Sequence, residues 1–273
     1  MNPLADSANP RMRQWASSHL SDYDAHQPGT MFAKGVVMDV AQGYELQSAV
    51  SQLRCDRGER VIGYKVGCTS PTIRAQLGIH HCVTGRLYAS EQHAPGVTLS
   101  RKKFANLAIE GELAVELSRE PDKKDLTTMG IPTCVARVFP VIELHHHVMR
   151  GEQPSAGELI ANNALHAGFI AGTGIHTTNI DSEAIADSPL ISSGLSIFID
   201  NQLHAECSGP ALTQTIRSSL KWLTAVVRER GDRLRAGQII LTGSIPNLIP
   251  INGDCGIRVE ASPFGNVDVK FIT

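Results

Sequence analysis

The sequence predicts an α+β fold, with a mainly helical N-terminal region over residues 1–80 and a β-rich catalytic domain over 81–273. Three observations carry that expectation. Apolar residues in the first third recur at helical spacing, and from about residue 83 period-two segments take over. Strands and helices do not alternate regularly, which argues against a parallel α/β sheet.

The elements follow in order. Residues 1 to 30 are polar, with prolines at 3, 10 and 28, and leave room for a short helix over Arg11–Leu20. Asp39–Arg57 is a stronger helix, its stripe made by Val40, Tyr44, Ala49, Val50 and Leu53, with Asp39 as N-cap and Gly58 as stop. Arg60–Gly67 reads as a strand, followed by a turn at Thr69, Ser70 and Pro71 and a helix over Thr72–Leu77 that ends at Gly78. Further strands are expected at Leu107–Leu117, Val135–Leu144, Ser193–Ile199, Gln238–Thr242, Gly256–Glu260 and Val267–Ile272. Helices are expected at Ala156–His166 and Ala211–Arg230.

Composition narrows the function classes. A chain of 273 residues with 42% hydrophobic and 19% charged residues can bury an ordinary core. Net charge is −2, no lysine/arginine-rich stripe occurs, and the short basic patch Arg101, Lys102 and Lys103 reads as a solvated loop or strand end, so no nucleic-acid partner is expected. No apolar run reaches the ~18 residues of a membrane span. The opening residues carry acids and prolines and no apolar h-region, unlike a secretory signal. Six scattered cysteines without a C-x-x-C pair read as reduced thiols, which points to a cytoplasmic protein.

The chemistry-bearing residues lie in three strands. In LAIEGELAVEL (107–117), Glu110 and Glu112 share one face with Ala114 and Glu116, their Cα atoms about 6.6–6.8 Å apart. Two such carboxylates could lean toward one ion, or the strand could simply show acids to water. Glu143, in RVFPVIELH (137–145), shares a face with Phe139 and Val141, where an acid is costly unless paired or metal-bound. A third carboxylate would complete a hard-oxygen donor set for Mg²⁺ or Mn²⁺; a salt bridge to an arginine is the alternative. Lys65, in GYKVG, lies mid-strand between glycines that let a ligand approach. It could bind a carboxylate, act as an acid with a lowered pKa, or snorkel to the surface. Adjacent residues on a strand alternate faces, so His145, His146 and His147 cannot all converge on one ion, and a loop or structural role is expected for the run. No Walker pattern, G-x-G-x-x-G or G-x-S-x-G occurs.

The order GYKVG–TS…QLGI, EGELAVEL, PVIEL, ANNALHAGFIAG and GDCGIRVEASPFGNVDVKF resembles the 2-keto-4-pentenoate hydratase and 4-oxalocrotonate decarboxylase family, within the fumarylacetoacetate hydrolase superfamily. The resemblance runs from Tyr44 and Gln47 to the C-terminal strand. It implies a β-rich roll, a flattened mixed barrel, preceded by helices. It also implies Mg²⁺ or Mn²⁺ on Glu110, Glu112 and Glu143, and an active-site lysine at Lys65. Substrate contacts are implied at Thr69, Ser70, Gly85, Leu87 and Asn163, together with homo-oligomeric assembly. Two departures stand out. Where the family reads I/V-D-S-R after the third Glu, this chain reads Leu144, His145, His146, His147. Its A-D-N-A-S motif appears as Ala161, Asn162, Asn163, Ala164, Leu165.

The reaction so implied is hydration of a 2-hydroxy-2,4-dienoate to a 4-hydroxy-2-oxo acid in catabolism of aromatic or related compounds. Decarboxylation of a 2-oxo-3-enedioate would need a cation for the distal carboxylate, with Arg74 and Arg86 as candidates. Hydrolysis of an acylpyruvate would need a base such as His166 or one of His145–His147. A catalytically silent homologue, associating with a pathway partner enzyme, is the reading from a different class.

Overall fold

The computed structural model describes residues 10–127, 130–148, 155–179 and 194–273. Three helices open the chain: α1 (Pro10–Asp24), α2 (Thr30–Ala33) and α3 (Val40–Asp56). Asp39 caps α3 in a reciprocal box with Gln42, each side chain accepting the other's backbone N–H, and Gly58 leaves the helix with φ +97°. The helices close over Met12, Ala16, Met31, Phe32, Met38 and Leu46.

The remainder is β-rich. One sheet contains β1 (Val61–Gly67), β2 (Val83–Tyr88), β3 (Gln92–His93), β5 (Leu107–Leu117), β6 (Val135–His146), β7 (His166–Ala171) and β11 (Ile239–Leu241), in the order β2-β1-β11-β5-β6-β7-β3. Two short strands, β8 (Ile175–His176) and β12 (Ile249–Pro250), add to β6 and β5. The second sheet runs β10 (Gln202–Ser208), β9 (Gly194–Ile199), β13 (Cys255–Ser262), β14 (Gly265–Ile272), β4 (Val97–Ser100). Both sheets are mixed, since β1 pairs β11, β3 pairs β7 and β14 pairs β4 in parallel. This is the α+β roll with leading helices that the resemblance implies. β1, although it precedes residue 80, is an interior strand of the larger sheet. Ser193, expected to open β9, lies outside the described residues.

The strand alternation decides which face is core. Ile109, Leu113, Val115 and Leu117 of β5 pack with Ile197 of β9 and Val259 of β13 between the sheets. Gly111 keeps that gap narrow, because a Cβ there would stand 2.8 Å from the Ile197 side chain. Long α6 (Pro210–Glu229) closes the same core with Leu212, Ile216, Leu220, Leu223 and Val227. The other face of β5 is left for Glu110, Glu112, Ala114 and Glu116.

One expected helix is shorter than its pattern. Ala156–His166 splits into α5 (Ala156–Ala161), a left-handed turn at Asn163, Ala164 and Leu165 (φ +55°, +53° and +65°), and the start of β7. Three consecutive left-handed non-glycine residues cost about 1–2 kcal/mol each. The Asn163 amide holds the turn by accepting from Arg86 N at 2.7 Å and donating to Arg86 O at 2.8 Å. Local hydrogen bonding to a neighbouring strand thus outweighs helix periodicity. All six cysteines are free, and no helix among the described residues is long and apolar enough to cross a membrane.

Two neutral histidines pin the helices to the sheet. Burial lowers the His19 pKa to about 4 and the His146 pKa to about 3, and His146 Nδ1 accepts from Ala105 N at 3.0 Å. The unfolded chain protonates both rings near pH 6.5, whereas the folded chain resists until about pH 4 and 3. Stability is therefore insensitive to these rings above pH 6.5 and falls as pH drops through that window. Amide-exchange protection of α1 should decline from pH 6.5 to 4.5; a flat profile would contradict the assignment.

Candidate active site

Six side chains converge on the polar face of β5 and β6. The register places Glu110 directly opposite Glu143, with Glu112 two residues along on the same face. His145, two residues after Glu143, comes to that face as well: its Nε2 lies 3.2 Å from Glu110 Oε2 and 3.6 Å from Glu143 Oε2. Lys65 Nζ from β1 sits 2.8 Å from Glu143 Oε1 and donates to Ala164 O at 3.1 Å. That second bond uses a carbonyl of the left-handed turn. His166, at the head of β7, places Nδ1 2.7 Å from Glu143 Oε1.

Burial and neighbouring charge set the protonation states. Burial works against an ionised Glu143, but Lys65, His145 and His166 outweigh it and hold its carboxyl well below the usual range. Glu112 is pushed the other way, first by burial and then by Glu143 and Glu110, so it keeps its proton. Its Oε2 accepts from Gly243 N, while Oε1 is buried without a hydrogen-bond partner. For Lys65 burial alone would lower the pKa; Glu143 and Glu110 reverse this and raise it. The lowered pKa expected from the sequence is corrected: the strand places the ammonium against a buried carboxylate.

The cluster forms the floor of a cavity of about 570 Å³, within the usual range for small-molecule sites. Lys65, Glu110, His145 and His147 reach it, and Thr69 and Ser70 border it beside α4 (Pro71–Gln76). Ile73, Leu77, Leu159, Leu165 and Leu248 make much of the wall. The donor set suits a divalent cation. Glu110, Glu143 and His145 each offer an atom within 4.8 Å of the others; Glu112 is outside that group, its Oε1 buried without a hydrogen-bond partner.

A second layer supports this floor. His166 Nε2 faces Glu91 Oε2 at 3.8 Å; Glu91 Oε1 accepts from Tyr23 of α1 at 2.5 Å and pairs with Arg54 of α3 at 2.7 Å. The N-terminal helices thereby reach Glu143 through two buried residues.

The chain is similar to known enzymes over most of its length. It is 24% identical over 233 residues to the 2-keto-4-pentenoate hydratase of Burkholderia vietnamiensis, covering 85% of this chain and 86% of that protein. It is 26% identical over 236 residues to the 2-hydroxyhexa-2,4-dienoate hydratase of Comamonas testosteroni, covering 86% and 87%. Over most of its length it is similar to the 2-keto-4-pentenoate hydratases. Among solved structures, 4-oxalocrotonate decarboxylase from Pseudomonas putida G7, complexed with magnesium and adipate, superposes with a TM-score of 0.82 at 22% identity, over 97% of this chain and 99% of that one. No family model matches the sequence.

Against the hydratase pattern, the residues singled out from sequence divide into two groups. Lys65, Glu110, Glu112 and Glu143 share one cluster, and Thr69 and Ser70 border its cavity. Gly85, Leu87 and Asn163 do not line it. Leu87 is fully buried in a small apolar cluster with Phe139 and Phe169. Gly85 gives way to Asn163, whose carbonyl oxygen would meet a Cβ at 2.4 Å, and the Asn163 amide is spent on Arg86. Gly85 and Asn163 shape the left-handed turn that presents the Ala164 carbonyl to Lys65. The loop or structural role expected for the histidine run is corrected at His145 alone. His145 and His146 are buried in β6, and His145 is part of the cluster, because alternation from Glu143 returns it to the same face. Glu91, Tyr23 and Arg54 went unnoticed in the sequence, and no local pattern marks them.

The protonation states predict unequal costs. Glu143→Gln strands Lys65 in the interior and should cost about 3 kcal/mol or more, whereas Glu112→Gln should stay within about 1 kcal/mol. Denaturant titration of both variants without added metal checks the contrast, and equal costs would overturn it.

Proposed function

We propose that the chain hydrates a 2-hydroxy-2,4-dienoate monocarboxylate to a 4-hydroxy-2-oxo acid, using Mg²⁺ or Mn²⁺ held by Glu110, Glu112 and Glu143. The observation that carries this choice is the cavity wall. A dicarboxylate would need a cation for its distal end, yet both candidates are committed elsewhere. Arg74 Nη1 donates to Cys68 O at 2.9 Å and Thr69 O at 2.7 Å, and Arg86 binds Gln47 and Ser48. Neither borders the cavity, and among the described residues Lys65 is its only lysine or arginine. Ile73, Leu77, Leu159, Leu165 and Leu248 line the cavity beside uncharged polar residues such as Thr72, Gln76 and Asn247, a lining that suits an uncharged hydrocarbon tail. Leu165, standing where the hydratase family reads serine, adds to that wall. The decarboxylase relative, whose structure holds adipate, keeps the second reading in view.

The residues have separable tasks. Lys65 is cationic and fixed by Glu143 and the Ala164 carbonyl, so it holds the negative charge that develops on the substrate's carboxylate and 2-oxygen. When bound, the ion supplies Lewis-acid polarisation of that oxygen. The 2-hydroxyl gives up its proton while C5 gains one, leaving a C3=C4 bond conjugated to the 2-oxo group. Water then adds its oxygen to C4 and a proton reaches C3, so one water is consumed and nothing is released. The Thr69 and Ser70 hydroxyls border the space where the polar end lies, and Ile73, Leu77 and Leu159 exclude water from the tail. Assembly as a homo-oligomer in the cytoplasm, in association with a pathway partner enzyme, belongs to the same reading.

A panel of 2-oxo and 2-hydroxydienoic acids, incubated with Mg²⁺ or Mn²⁺, should show loss of the dienoate monocarboxylate without CO₂. Lys65→Met should lower kcat/KM by about 10²-fold or more. CO₂ release from a 2-oxo-3-enedioate would transfer the assignment to the decarboxylase reading. Turnover of neither acid would point to acylpyruvate-type C–C hydrolysis or a silent subunit.

A further inference from the structure

We propose that His145 is a nitrogen ligand of the same ion, which turns an all-oxygen site into a mixed oxygen–nitrogen one and moves its preference from Mg²⁺ toward Mn²⁺, Co²⁺ or Zn²⁺. The proposal rests on the reading of Glu110, Glu112 and Glu143 as metal ligands and deepens it.

The placement is the first observation. From Glu143, strand alternation brings His145 back to the acid face, and the ladder sets it opposite Ala108, two residues before Glu110. A small residue at that position leaves the ring free to lean toward Glu110, whose Oε2 is 3.2 Å from Nε2. The second observation is independent of the acids. His145 is 3% exposed, and neither ring nitrogen has a hydrogen-bond partner. A buried imidazole with both nitrogens idle costs about 1–3 kcal/mol for each unmet polar group. A hydrogen-bonded ion pair would relieve that cost, but Nε2 approaches two carboxylate oxygens without bonding to either. An electrophile shared by the ring and both carboxylates satisfies all three. Their donor atoms already lie within 4.8 Å of one another.

The chemical consequence follows from ligand type. Carboxylate and water suit Mg²⁺, whereas imidazole suits the later divalent ions, and affinity at a nitrogen-containing site rises from Mn²⁺ through Co²⁺. The residue responsible stands at one of the chain's departures from the hydratase pattern, where the family reads Asp.

The test uses the chelator-stripped full chain, titrated calorimetrically with Mg²⁺, Mn²⁺ and Co²⁺, and pulsed EPR of the Mn²⁺ form. The wild-type Mn²⁺ spectrum should carry nitrogen modulation, and His145→Asp should abolish it. The ratio of Mg²⁺ to Co²⁺ dissociation constants should fall by about tenfold or more in His145→Asp, with Mg²⁺ binding retained. Bound Mn²⁺ without nitrogen modulation in the wild type would overturn the proposal with no variant needed, while leaving the carboxylate reading intact. Modulation that persists in His145→Asp, or an unchanged ratio, would also overturn it. Absence of any ion binding by the wild type would sink the carboxylate reading and this one together.

Discussion

Glu143 lies in the middle of β6 with 1% of its side chain exposed, among Phe139, Val141 and Phe169. An ionised carboxylate in such surroundings is tolerable only if several groups converge on it. Lys65 arrives from one side of the sheet path and His166 from the other, and each brings its own support. Lys65 is steadied by the Ala164 carbonyl, which is available only because the chain turns left-handed after Asn162. His166 is backed by Glu91, which Tyr23 and Arg54 hold in turn. The leading helices, the left-handed turn and the central strands therefore answer to one buried negative charge. Glu112 shows the other side of the balance, since the field that keeps Glu143 ionised leaves its neighbour protonated.

Much of this could be read from the sequence, and for identifiable reasons. The strand 107–117 alternates nearly strictly and 135–144 is a mostly apolar run, and the shared parity of Glu110 with Glu112, and of Glu143 with Phe139 and Val141, follows from the two-residue period of a strand. Asp39 and Gly58 announced α3 because caps are local chemistry. What escaped was non-local. No pattern within 156–166 reveals that Asn163 will clasp Arg86, 77 residues earlier, and so the helix was drawn too long. Glu91 and Tyr23 meet His166 only because distant elements pack together. His145 is the instructive case. Alternation correctly forbids three adjacent histidines from sharing an ion, yet the same rule, counted from Glu143, returns one of them to the acid face.

The departures from the hydratase pattern have unequal consequences once placed in the fold. Asn162, at the family's acid, donates to Glu158 O and faces a small enclosed space beside His19 and Tyr23, away from the large cavity. Leu165 and His145, by contrast, both reach that cavity. One replaces a hydroxyl with hydrocarbon on the wall, and the other replaces a carboxylate with imidazole on the floor. Set against the pattern that the resemblance implies, the lysine and the three glutamates stand unchanged and the residues around them differ.

The pairing of β5 with β6 carries a further consequence for folding. Because side chains alternate, sliding one strand by a single residue would drive Glu110, Glu112 and Glu116 into the tight gap against Ile197 and Val259. The apolar set would face outward in exchange. Misregistered pairings are thus heavily penalised by the very residues that the chemistry needs. Selection for turnover and selection for a unique strand register act on the same letters of the sequence. A variant that neutralises those acids would lose more than activity, because it would also make incorrect pairings of the two central strands less costly.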